Sequence, residues 1–183
     1  MEPEDPLWIA IRDYRIGPEG AALSFADRLA RENRWSAAYA ERVVGEYKRF
    51  CYLACEAGHA VTPSDQIDQA WHLHLTYSAD YWDRFCRGVL GRPFHHGPTR
   101  GGEAEGRYYR QYAETLASYE DIFGEVPPAD IWSPARVRFG VHPQVFRVHA
   151  DRWLVVPGRR GLALLAGGAS LMLAIGFALG RAT

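Results

Sequence analysis

Helix punctuation constrains this chain more than any other feature. Ser24 with Asp27, Ser36, Thr62-Pro63 with Asp65, and Ser78 each stand where a helix would begin, and Gly58, Gly91 and Gly124 where one would end. A Ser or Thr hydroxyl accepts a backbone N–H that the first helical turn leaves free, and an acid three residues on reaches back to the cap. Proline suits the first helical position, and glycine the left-handed residue that closes a helix. Between these marks the apolar residues recur at helical spacing. The punctuation predicts five helices, at 24–35, 37–57, 63–77, 79–90 and 103–123. The fold class expected is mainly α, a bundle of about five helices followed by one C-terminal transmembrane helix.

The buried faces follow from the same spacing. Phe25, Leu29 and Trp35 belong to the first helix, and Tyr39, Val43, Tyr47, Phe50 and Ala54 to the second. Tyr81, Trp82, Phe85 and Val89 are expected from the fourth, and Tyr109, Tyr112, Leu116, Tyr119 and Phe123 from the fifth. Residues 1–20 read as an irregular arm held by Leu7, Trp8, Ile9 and Ile11. After Pro134, Val137, Phe139 and Val141 alternate with Arg136, Arg138 and Gly140, and Val145, Phe146 and Val148 follow a turn. That period of two predicts a short hairpin.

Residues 65–96 hold four of the seven histidines, at 72, 74, 95 and 96. At about 100° per residue with Asp68 at zero, His72 falls at about 40° and Asp65 at about 60°, on one face. His74 falls at about 240°, among apolar neighbours. Asp68 and His72 thus suit either two metal ligands or a carboxylate orienting an imidazole. The 91–102 loop is long enough to bring His96 back to them. The expected set is Asp68, His72, His74 and His96 around a Zn²⁺-like divalent ion, with His74 requiring a local distortion of the helix. Without that distortion His74 is a core residue and the ion has at most three protein ligands. Cys51, Cys55 and His59 are also spaced by four, but Gly58 breaks the alignment, so they read as buried thiols and a helix-end histidine.

Residues 161–180 are twenty consecutive residues without a charge. A helix of that length spans about 30 Å, the hydrocarbon thickness of a bilayer. Between residues 136 and 160 there are six arginines and one acid, Asp151. The positive-inside bias then places the preceding domain on the cytoplasmic side of a cell membrane, as a single-pass tail-anchored protein. The expected organisation is a cytoplasmic domain over 1–135, a basic juxtamembrane segment over 136–160 and the anchor over 161–180. Ala166, Ser170, Ala174 and Ala178 form a stripe suited to helix self-association, and so to a homo-oligomer. A net charge of −1 argues against nucleic-acid binding. Three cysteines suit reduced thiols in the cytoplasm.

The run Asp68-Gln69-Ala70-Trp71-His72-Leu73-His74, then Tyr81, Gly91-Arg92 and His96, resembles the glycine-rich domain-containing protein family. Its members, in plants, fungi and bacteria, carry a domain of unknown function with a D-x-x-W-H-x-H core. The resemblance covers roughly residues 20–135. The family's glycine-rich tail is missing, and the apolar run stands in its place. The resemblance implies a histidine-centred site and names no reaction.

Two functions of different class follow. The first is a binding or scaffolding module on a membrane, with the histidine cluster holding a metal or a polar network. The second is a metal-dependent hydrolase, for which Asp65 is the available base.

Overall fold

The computed structural model describes residues 3–97 and 104–140, which belong to one compact unit. Among them every regular element is helical: α1 (Pro6–Asp13), α2 (Phe25–Asn33), α3 (Ala37–Glu56), α4 (Asp65–Thr76), a π-helix, π1 (Asp80–Leu90), α5 (Ala104–Phe123) and α6 (Ala135–Gly140).

The long α3 is the axis, and α1, α2, α4 and α5 all pack on it. Ser36 caps it by accepting the Tyr39 N–H, and Gly58 turns the chain away in the left-handed conformation. Its inward residues Val43, Tyr47, Phe50, Cys51 and Leu53 are fully buried. Truncating an aromatic such as Phe50 to alanine would cost about 3–5 kcal/mol. The capping box of α2 forms in both directions: Ser24 Oγ accepts the Asp27 N–H at 3.0 Å, and Asp27 Oδ2 accepts the Ser24 N–H at 3.2 Å.

Besides Tyr109, expected to face inward on α5 and found exposed, four expectations need correction. The N-terminal arm is helical, because Asp5 accepts the Leu7 and Trp8 N–H groups and Pro6 fills the first position. Trp8 and Ile11 are buried on it, while Ile9 faces out. The cap of α4 is Ser64, which accepts the Ile67 N–H at 3.3 Å. Thr62 is drawn into the interior instead, where its own N–H is taken by Thr115 Oγ1. Residues 135–140 form helix and not strand, with Val137 and Arg138 N–H groups both returning to the Pro134 carbonyl. The remainder of the expected hairpin lies outside the described residues.

The fourth correction is π1. Its buried residues are Asp80, Tyr81, Phe85, Cys86 and Leu90. A π-helix closes i→i+5 bonds and takes roughly 4.4 residues per turn, or about 82° each. On that spacing Tyr81, Phe85, Cys86 and Leu90 lie within an arc of about 80°. On an α-helix Leu90 would fall about 180° from Tyr81. The wider turn therefore replaces Trp82 and Val89 with Cys86 and Leu90 on the inner face, and Trp82 is exposed. Ser78 makes no side-chain cap, and Gly91 ends π1 in the left-handed conformation with its N–H on the Cys86 carbonyl. Among the described residues no helix is long and apolar enough to cross a membrane. The 161–180 run, its small-residue stripe and most of the basic segment lie outside them.

Candidate metal centre

Asp68, His72 and His96 meet at the surface of α4. His96 Nε2 is 2.7 Å from Asp68 Oδ1 and 3.1 Å from His72 Nε2, and His72 Nε2 is 3.7 Å from Asp68 Oδ2. One ligand atom from each residue lies within 4.8 Å of the other two. A tetrahedral centre with ligand distances of about 2.0–2.1 Å has edges of about 3.3–3.4 Å. The two His96 contacts fall short of that value, and the His72 contact, made to the other oxygen of Asp68, exceeds it. A ring nitrogen presents one in-plane direction, a proton or a lone pair. His96 Nε2 therefore cannot satisfy both Asp68 and His72 with linear hydrogen bonds. Two nitrogens and an oxygen drawn this close together could hold a metal ion.

The helix supplies two of these groups by periodicity, since Asp68 and His72 are one turn apart. His96 is brought in by a tie behind it. The Trp71 indole N–H donates to the Tyr81 hydroxyl at 2.8 Å, and that hydroxyl donates to the Phe94 carbonyl. The Phe94 ring stacks on Trp71 at 4.2 Å, and the Trp71 ring meets His96 edge-on at 4.5 Å. Tyr81 thus joins the helix neighbour of His72 to the loop residue two before His96. His95 turns the other way, against Trp82 at 5.3 Å.

His74 does not join the cluster, because α4 stays regular and turns it inward. It is fully buried. Its Nδ1 lies 2.9 Å from the Tyr47 hydroxyl and its Nε2 3.0 Å from Asp80 Oδ2. The Asp80 carboxylate can only accept, which draws the His74 proton to Nε2 and leaves Nδ1 to accept from the Tyr47 hydroxyl, kept protonated by burial. Burial also lowers the His74 pKa to about 4, outweighing the Asp80 carboxylate that favours the charged ring. The ring is neutral at pH 7, and the charge on Asp80 is met by Arg84 at 2.8 Å. Tyr14 closes the network by donating to Asp80 Oδ1 at 3.0 Å.

Sequence reasoning did not find Asp80, Tyr47, Tyr14 or Arg84 as partners. The usable signal was chemical: a histidine on an apolar face needs two hydrogen-bonding partners, and Asp80 is the acid just beyond the helix end. A second buried network was also missed. Glu46 accepts the Trp132 indole N–H at 2.8 Å and the Tyr119 hydroxyl at 3.3 Å, with Arg49 at 3.5 Å. Burial raises its carboxyl pKa, against the pull of the Trp132 bond.

The other histidine, cysteines and acid raised by the sequence lie apart from the triad. His59 contacts Ser118 Oγ at 2.8 Å, Cys51 is buried and Cys55 half-buried. Asp65 pairs with Arg138 of α6 at 3.8 Å. Among the described residues, cavities of about 280, 380 and 510 Å³ are lined by none of Asp68, His72 and His96. The triad itself is on open surface, with His72 56% exposed against 22% for Asp68 and 21% for His96. No protein-family model, curated protein or solved structure matches the chain.

Proposed function

We propose that the helical unit is a binding module that holds a divalent metal through Asp68, His72 and His96. The observation that carries the reading is the convergence of three ligand atoms within 4.8 Å. Two imidazoles and one carboxylate suit a Zn²⁺-like or Fe²⁺-like ion. The motif residues on which the resemblance to the glycine-rich domain-containing family rests enter this reading by position. Asp68, Trp71, His72, Tyr81 and His96 fall in one contiguous network, and His74 in the one behind it. In this reading residues 161–180 anchor the module in a cell membrane with its soluble part on the cytoplasmic side. The support is the uncharged run and the arginine excess before it. The hydrolase reading is the weaker one, because Asp65, its general base, is paired with Arg138.

The test is metal content. The full-length chain, purified in detergent and loaded with Zn²⁺, should hold one ion, and its melting temperature should rise with added metal, since an ion that binds only the native state stabilises it. His72→Ala and His96→Ala should lose both effects, and His95→Ala should keep them. Equal binding by the parent and His96→Ala chains would rule the centre out.

A further inference from the structure

We infer that the Asp68–His72–His96 centre keeps an exchangeable coordination position, and that a small monoanion such as a carboxylate occupies it by displacing water. The inference rests on the metal reading above and adds what the ion itself binds.

The first argument is ligand supply. Structural zinc sites are closed by four protein ligands, whereas sites with three keep a solvent ligand. The three donors here are Asp68, His72 and His96. The described groups that might have provided a fourth are held apart. His74 is bonded on both ring nitrogens, His95 lies against Trp82, and Asp65 is paired with Arg138.

The second argument is asymmetry. Behind the triad lies an apolar floor, the stacked Trp71 and Phe94 rings, with Trp71 5% exposed. In front, His72 is 56% exposed. An ion about 2 Å from all three donors has the protein on one side and its remaining positions toward water.

The third argument is charge. Metal-bound histidine is neutral and the carboxylate carries −1. A divalent ion held by Asp68, His72 and His96 therefore retains one uncompensated positive charge. One monoanion neutralises it, whereas a neutral ligand leaves it in place. The step is a substitution without redox change: a carboxylate lone pair forms the new bond, and the bound water leaves intact.

The test uses Co²⁺, whose visible bands report its ligands. The full-length chain in detergent is loaded with Co²⁺ and titrated with acetate, with azide and, as a neutral control, with acetamide. The expected result is a saturating shift of the bands with acetate and azide and none with acetamide, and loss of the bands in His96→Ala. Bound Co²⁺ whose bands neither anion moves would mean a closed centre and would overturn the inference while leaving the metal reading intact. An equal shift with acetamide would overturn the charge selectivity. Failure of Co²⁺ to bind would overturn both readings together.

Discussion

His72 and His74 stand two positions apart on one helix and meet opposite surroundings. His72 is 56% exposed and faces Asp68 and His96 on open surface. His74 is fully buried, bonded at both ring nitrogens and surrounded by the rings of Phe25, Tyr47, Tyr81 and Phe85. The residue type is the same, and the difference lies in solvent. Where water reaches, a histidine is free to bind something from outside. Where water is excluded, each nitrogen must find a partner within the chain, and the residue becomes part of the frame. The Trp71 ring lies between these fates, beside His96 on one side and tied to Tyr81 on the other.

The largest test of that contrast is paired truncation. His74→Ala removes a buried ring and takes a partner from the Tyr47 hydroxyl and from Asp80 Oδ2, at a cost of about 3–5 kcal/mol. His72→Ala, measured with chelator present, should cost less than about 1 kcal/mol, as for exposed polar pairs. Urea denaturation of both variants measures this directly, and a His74→Ala chain as stable as its parent would break the distinction.

Acid gives the next effect. The folded His74 pKa of about 4 lies below its ordinary value of 6.5, so the unfolded chain binds the extra proton first. The stability due to neutral His74 is complete above pH 6.5 and is lost progressively as pH falls toward 4. The loss should amount to roughly 3 kcal/mol at 1.36 kcal/mol per pKa unit. Urea midpoints across that window, with chelator present, should show this slope in the parent chain. A His74→Gln chain with the same slope would assign it to other groups.

Tyr81→Phe should be a milder change than His74→Ala and the most informative. It leaves all three expected ligands in place and removes the link between Trp71 and the Phe94 carbonyl. About 1–2 kcal/mol of stability should go with the hydrogen bonds. Metal affinity should fall roughly 10–100-fold, as when groups supporting a ligand are altered. Competition with a chromophoric chelator reads the second effect, with the exposed neighbour variant Trp82→Phe as control. A stability loss with unchanged affinity would make Tyr81 structural only.

Much of this arrangement was legible in the sequence. The Ser24 box and the Ser36 cap are local, and the neighbours decide them within one turn. Helical angle set His74 apart from Asp68 and His72, although the expected ligand set still included it through a distortion that α4 does not make, and loop reach allowed His96 to join the other two. The misses came where two local readings compete or where partners are distant. Thr62 and Ser64 both precede an acid, and the choice between them depends on Thr115, more than fifty residues away. The alternation after Pro134 suits a strand until the Pro134 carbonyl takes two N–H groups. Asp5-Pro6 carried a helix start that the apolar arm residues masked. Period-matching tried only two and 3.6 residues, so a turn of roughly 4.4 had no template.

That wide turn makes chain length in π1 a functional variable. Tyr81 and Leu90 share an inner face only because the turn is wide. Deleting one exposed residue between Trp82 and Arg84 would favour return to α-helical spacing, turn Leu90 by about 60° relative to Tyr81 and alter how far the Phe94–His96 loop reaches. Substitution at the same exposed positions would leave that register untouched. Among related chains, length should therefore be held more strictly than composition from Tyr81 to Gly91, a pattern that comparing indels with substitutions would reveal.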